Sequence, residues 1–214
     1  MLISISGIDC SGKSTQIELL TEALVKLGKK PFVFWFRPGY SYELNTLKTM
    51  ARKIVPSALP AAEEKERRND AFSKPGVNTA WLTAAVVDMA FQYGAKLRAL
   101  ERAGYFVICD RYIHDSMLDL KLRFSALNTV DSPWSRLIYR VSPTPDARFL
   151  FTLPYDEMLR RMEQKQEPFP DPLEIREQRF HAYQRLAKTE GFDVVDAGQS
   201  VEQIHRDICQ RLKL

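Results

Sequence analysis

The sequence predicts an α/β fold, a parallel sheet wrapped by helices, and three observations carry that prediction. Short β-rich runs recur along the 214 residues: "LISISGI", "PFVFWF", "YFVICD", "ARFLFTL" and "FDVVDA". Longer segments with helical period separate them, as when crossover helices join neighbouring strands. The runs are apolar almost throughout rather than alternating, the pattern of strands covered on both faces.

Each element follows from its own residues. After the first run a helix should start near Lys13 and continue through "QIELLTEALVKL", with Ile17, Leu20, Leu24 and Leu27 on one face and Gly28 placed to cap its end. Ala61 to Gly76, "AAEEKERRNDAFSKPG", is charged, mixed in sign and closed by Pro75-Gly76, and reads as a solvated helix face or loop. A long helix is predicted over Thr79 to Arg102 and is ended by Gly104. Its stretch "WLTAAVVDMAFQYGA" is apolar almost all round, so it belongs in the core or against a second subunit. Further on, "YDEMLRRMEQ" and "EIREQRFHAYQRLAK" read as helices flanking "QKQEPFPDPLE", Gln164 to Glu174, an exposed loop with three prolines. Ser200 with Gln203 reads as a capping box for the last helix, "VEQIHRDICQRL".

Composition bounds the function. The length suits a single domain over residues 1–214. A net charge of +4 suits phosphate-bearing ligands but is far from a dense basic stripe, so nucleic acid is not an expected partner. Cys10, Cys109 and Cys209 are widely spaced and form no zinc pattern, so they read as reduced thiols; His114, His181 and His205 are dispersed. With no signal peptide at the start and no apolar run long enough to span a membrane, a cytoplasmic protein is expected. Trp35, Trp81 and Trp134 are expected in the core, with Trp81 also a candidate to face a substrate.

The chemistry begins at "GIDCSGKST", Gly7, Ile8, Asp9, Cys10, Ser11, Gly12, Lys13, Ser14 and Thr15, a full match to G-x-x-x-x-G-K-[ST] between a predicted strand and a predicted helix. Gly7 and Gly12 let the backbone curl so that successive N–H groups point inward, and the following helix adds the positive end of its dipole. Lys13 should reach the β- and γ-phosphates, and the Ser14 hydroxyl should ligate Mg²⁺. In "VICDRYIHDS", Asp110 ends a buried strand beside that loop, where its carboxylate can hold Mg²⁺ through water or serve as a helix cap. Arg111 beside it offers a bidentate donor to a phosphoryl group or makes a surface ion pair. His114 either lines the acceptor site or is an ordinary loop histidine.

Taken together, "GIDCSGKST", "FRPG", "VICDRYIHDS" and "FDVVDAGQSVEQIHRDI" resemble the thymidylate kinase family of P-loop nucleoside monophosphate kinases, from Leu2 to about Ile208. The resemblance implies a P-loop NTPase fold, a five-stranded parallel sheet flanked by helices with a lid segment near 160–174 that closes over ATP, and a homodimer. It implies ATP and Mg²⁺ as cofactors, bound at Lys13, Ser14 and Thr15, with Asp110 in the metal's water network. It also implies Asp9 at the acceptor's sugar, Arg37 at the acceptor phosphate and Arg111 between donor and acceptor. Arg160 and Arg161 would lie at the lid's edge towards ATP. The "VDAG" stretch, with Asp196, Ala197 and Gly198, would pack near adenine.

Two departures bear on the acceptor. "FRPGYS" replaces the family's "REPGG", and the "LLFxAxR" pattern of the long helix, which ends in an acceptor-gripping arginine, is matched by "WLTAAVVDMAFQ" with Asp88, Met89 or Ala90 in that place. No Arg or Lys occurs from Ala80 through Ala95. A monophosphate acceptor needs cations and no base, whereas a hydroxyl acceptor is helped by a carboxylate. Asp88 therefore reads either as part of an acceptor site, where it or Asp9 is a base, or as a polar break on the helix edge or a cap for a neighbouring loop. Three readings follow: a Mg-ATP-dependent kinase of nucleoside monophosphates with dTMP foremost, a kinase of the same fold acting on a hydroxyl, and a non-catalytic nucleotide-binding module.

Overall fold

β1 (Leu2–Gly7) is buried at every position because it is the middle strand of a five-stranded sheet with the order β2-β3-β1-β4-β5. β2 covers Pro31–Trp35, β3 Phe106–Asp110, β4 Ala147–Thr152 and β5 Asp193–Asp196, and every neighbouring pair is parallel. Each of the five apolar runs thus forms its expected strand. The computed structural model describes residues 1–38, 41, 75–123, 132–165, 172–189 and 191–214. Most of the charged segment 61–76, and residues 166–171 of the expected lid, lie outside the described residues.

The uniform burial expected of the strands holds in the centre and fails at the edges. Trp35 on β2 is 57% exposed and Val194 on β5 is 49% exposed. An edge strand has a hydrogen-bonded neighbour on one side only, and the helices reach past it incompletely.

Helix α1 (Lys13–Lys26) ends as expected, with Gly28 in the left-handed region at φ 69. The predicted long helix is present but not uniform. α2 (Pro75–Met89) runs through π-helical turns over Ala90–Lys96 into α3 (Leu97–Arg102). In the widened stretch Gly94 packs against Val141, where an added methyl would sit 3.4 Å from that side chain. Tyr93 turns fully inward to share a 2.7 Å hydrogen bond with Ser116. The remaining helices are α4 (Ile113–Arg123), α5 (Pro133–Val141), α6 (Tyr155–Lys165), α7 (Leu173–Leu186) and α8 (Val201–Leu212). Ser200 caps α8 by accepting from the Gln203 N–H at 3.2 Å. The reciprocal half of the expected capping box is missing, because the Gln203 side chain donates instead to Asp207 at 2.7 Å.

Two cores sandwich the sheet. Leu2, Phe34 and Val107 pack under Met89, Tyr93 and Leu97 on one face. Ile3, Ile5, Phe149 and Phe151 pack under Leu20, Leu24 and Ile204 of α1 and α8 on the other. Because the chain leaves β1 towards β2 and leaves β3 towards β4, the connections diverge between β1 and β3, and a crevice opens at their carboxyl ends. The register sets Asp110 opposite both Ile5 and Trp35, at the lip of that crevice. Among the described residues no helix is long and apolar enough to cross a membrane.

Candidate active site at the carboxyl ends of β1 and β3

The loop after β1 curls through three residues with positive φ, Gly7 at 136, Cys10 at 60 and Gly12 at 81. Gly12 caps α1, so the first-turn N–H groups of that helix, which have no intrahelical acceptor, open on the loop. Ser11 Oγ braces the turn by donating to the Ile8 carbonyl at 2.7 Å. Lys13 lies across the loop, its Nζ donating to the carbonyls of Gly7 at 3.0 Å and Ile8 at 2.6 Å. Burial, helped by Arg111, pushes its ammonium down to about 8, although Asp9, Asp115 and Asp110 pull the other way.

A cleft of ≈ 440 Å³ extends from this loop, lined by Asp9 through Thr15 together with Trp35, Asp110, Arg111, Arg161 and Lys165. Arg111, itself left-handed at φ 72, places its guanidinium 2.6 Å from Asp9 Oδ1. Burial alone would raise Asp9, but Arg111, Lys13 and Arg179 outweigh it and hold the carboxyl below its ordinary range. Asp110 moves the other way: burial raises it, and Lys13 and Arg111 recover only part of the cost. A carboxylate so placed gains from a further cation beside it.

The other expected site residues are distributed unevenly. Arg161 lines the cleft and bonds Glu157 at 2.7 Å, whereas the exposed Arg160 spends two 2.8 Å bonds on the same carboxylate. Those two arginines hold Glu157 down at about 2. Arg37 is half exposed, with Nε 3.5 Å from Asp119. The turn at Asp196, Ala197 and Gly198 is closed by the Gly198 N–H donating to Asp196 at 2.9 Å. It is held near the first turn of α1 by Gln16, which donates to the Val201 carbonyl at 2.8 Å, though the turn does not line the cleft.

The expectation for Trp35 needs revision, and the placements of His114, Trp81 and Asp88 bear on the alternatives left open for them. Trp35 is not a core residue but a cleft wall, since it closes an edge strand. The ring of His114 packs on Tyr139 and Phe192, with Nδ1 3.1 Å from the Tyr139 hydroxyl, so its contacts are not with the acceptor-side arginines. Trp81 is partly buried against the core under α2 and does not line the described cleft. Asp88 is buried rather than on an exposed helix edge, and accepts from Ser41 Oγ at 2.6 Å; it ties the chain after β2 to α2.

The sequence reading missed Asp115. This carboxylate, 1% exposed, accepts from Ser6 Oγ at 2.5 Å, from the Tyr112 N–H at 2.9 Å and from the Tyr183 hydroxyl at 2.5 Å. Tyr183 in turn receives Arg111 Nη1 at 3.5 Å, so β1, α4 and α7 jointly hold the arginine of the cleft. Lys165, at the end of α6, was also passed over. The available signals were two serines, Ser4 and Ser6, in an otherwise apolar β1, an aspartate five residues beyond Asp110, and a tyrosine at helical spacing from Arg179.

The lowered Lys13 pKa gives a pH prediction. A lysine that holds nucleotide phosphates does so as the charged ammonium, and kcat/KM reports the free enzyme. kcat/KM for ATP is therefore expected to fall as pH rises through about 8, while kcat, governed by the nucleotide-bound form in which phosphates support the cation, holds to higher pH. Coincident profiles for the two parameters would overturn the assignment.

Known proteins match this chain over nearly its whole length. A family model described as thymidylate kinase matches residues 5–208. A probable thymidylate kinase of Pyrococcus horikoshii is 28% identical, over 99% of this chain and 95% of that protein. One from Methanocaldococcus jannaschii is 27% identical, over 100% of this chain and 96% of its own length. A thymidylate kinase structure from Candida albicans shares the fold with a TM-score of 0.60 at 17% identity, covering 99% of this chain and 90% of that one. With a family-model match running nearly end to end, over a loop that carries the G-x-x-x-x-G-K-[ST] pattern and faces a strand-end Asp-Arg pair, this chain belongs to the thymidylate kinase family.

Proposed function

We propose that this chain transfers the γ-phosphoryl group of ATP to the phosphate of a nucleoside monophosphate, with dTMP foremost, and that the whole chain acts as one kinase domain with a lid near 160–174. The observation that carries this reading is the Asp9–Arg111 pair at the mouth of the phosphate loop. A hydroxyl acceptor would want a general base whose pKa lies near neutrality, and Asp9 is held in the opposite direction. Asp88 is already engaged by Ser41. The site's supply of cations suits an acceptor that arrives as a dianion.

Magnesium fits the residues present. The Ser14 hydroxyl and the Asp110 carboxylate are oxygen donors on the same cleft, and burial leaves Asp110 in want of a counter-charge. When bound, the ion would neutralise phosphate oxygens of the nucleotide. The chain's own residues do the rest. The amides of Gly7 to Thr15 and Lys13 hold the β- and γ-phosphates, and Arg111, steadied by Asp9 and Tyr183, stands where the group crosses between donor and acceptor. Arg161 and Lys165 add positive charge from the lid side.

The same reading includes a cytoplasmic homodimer. Val87 and Phe91, 64% and 51% exposed and one turn apart, form an apolar stripe on the long helix that a second copy would cover. A monomeric mass in light scattering would refute that part. The function itself is tested by ADP release with Mg-ATP against nucleoside monophosphates, nucleosides and phosphorylated sugars. Turnover on dTMP is expected; turnover confined to nucleosides or sugars would replace this reading with the hydroxyl-directed one.

A further inference from the structure

The backbone of Arg111 is left-handed, at φ 72, a conformation that costs a non-glycine residue free energy and persists only where its surroundings hold it. One buried side chain grips both ends of this residue. Asp115 Oδ2 accepts from the Tyr112 N–H at 2.9 Å, which fixes the peptide just after Arg111, and Asp115 Oδ1 accepts from the Tyr183 hydroxyl at 2.5 Å. With its single proton given to Asp115, the Tyr183 oxygen presents lone pairs to Arg111 Nη1, 3.5 Å away at the far end of the same arginine. Ser6 Oγ, donating to Asp115 Oδ2 at 2.5 Å, ties the carboxylate to β1, the strand that leads into the phosphate loop. Asp9 also holds Arg111, at Nη2, but from within the cleft where ligands enter. Asp115 and Tyr183 are each 1% exposed, so neither can shift without repacking its neighbours.

We propose that Asp115 is the positioning residue of the cleft arginine: through Tyr112 it holds the backbone of Arg111, and through Tyr183 it aims the guanidinium at the phosphoryl group in transfer. This deepens the function proposed above and rests on it for the reaction that Arg111 serves. The direction of the Tyr183 proton is what makes a carboxylate matter here. A carboxylate only accepts, so it draws the phenolic proton away from the arginine. An amide of the same shape, with its oxygen kept on Ser6 and Tyr112, would turn its N–H groups towards Tyr183. The hydroxyl would then have to accept, and its own proton would swing towards the guanidinium and repel it.

The test measures single-turnover transfer from Mg-ATP to dTMP by the full chain, with thermal midpoints as the check on folding, in a double-mutant cycle with Arg111→Ala. Tyr183→Phe keeps the packing of the ring and removes only the hydroxyl; it should slow transfer about tenfold, the scale of a misaimed charge-stabilising group, and leave KM for ATP unchanged. Asp115→Asn should slow it further, through the inverted hydroxyl. In the R111A background neither substitution should change the rate by more than about twofold, because the arginine they position is gone. A purely structural role would cost the same factor in both backgrounds. If Asp115→Asn unfolds the chain, the Tyr183→Phe arm of the cycle decides alone. Equal losses with and without Arg111, or Tyr183→Phe at full rate, overturn the role of Asp115 while the monophosphate reading stands. Transfer confined to nucleosides or sugars overturns the monophosphate reading, and the cycle run on that acceptor still decides the positioning role. No transfer by wild type to any acceptor overturns both.

Discussion

Replacing Lys13 by methionine is expected to lower turnover by at least about a hundredfold, the usual loss when a charge-stabilising donor leaves a preorganised site. The same substitution should leave the thermal midpoint at pH 7 unchanged or higher. The two effects have opposite signs because the ammonium is kept where folding disfavours it. A shift from 10.5 to about 8 corresponds to a penalty of about 3 kcal/mol on the charged form. Methionine fills a similar volume without that penalty. The folded pKa lies below the unfolded one, so the penalty is complete below pH 8 and fades as pH rises from about 8 towards 10.5. Wild type should therefore gain stability across that window, and the variant should not. Measured kcat and unfolding midpoints from pH 7 to 10 decide the matter; a variant with a tenth or more of normal turnover, or one markedly less stable at pH 7, would contradict the assignment.

Gly7→Ala is expected to cost more than about 3 kcal/mol and to remove most soluble, folded protein. A methyl at Gly7 would sit 2.2 Å from the Phe151 carbonyl oxygen and 2.8 Å from its amide nitrogen, both backbone atoms of β4. Neither can swing aside, because Gly7 and Phe151 are partners in the β1–β4 ladder. The residue's φ of +136 adds strain for any side chain. Gly12→Ala supplies the control, with φ +81 and no heavy atom within 4 Å of the added methyl. It should cost only about 1–2 kcal/mol, the left-handed penalty by itself. Denaturant midpoints of the two variants check the contrast, and equal losses would remove close approach to β4 as the reason for the first glycine.

The architecture was readable because it rests on local patterns. Runs such as "YFVICD" can be buried on both faces only inside a parallel sheet, and Gly28 and Gly104 stand where helices must end, with φ of 69 and 81. The phosphate loop was readable for the same reason, since Gly7, Gly12, Lys13 and Ser14 lie within one short segment. What escaped were relations between distant segments. Asp115 looked like one more polar residue in "RYIHDS", and only the packing of β1 and α7 on α4 gives it Ser6 and Tyr183 as partners. Trp35 reads as a core tryptophan in an apolar run, yet the sheet order puts it on an edge. The π-helical turns from Ala90 to Lys96 leave no trace in hydrophobic periodicity, since an apolar stretch on every side has no phase to shift.

By itself, then, the sequence determined the sheet, the helices that flank it and the glycine-lysine loop after β1, because each is encoded within a short run of adjacent residues by steric and hydrophobic preferences. The tertiary structure alone decided which side chains share the cleft. Asp9, Arg111 and Arg161 are separated by long stretches of chain, and they meet only because the parallel pairing of β1 and β3 brings their carboxyl ends together beside α6. Their charges act through space, over distances that sequence separation does not measure.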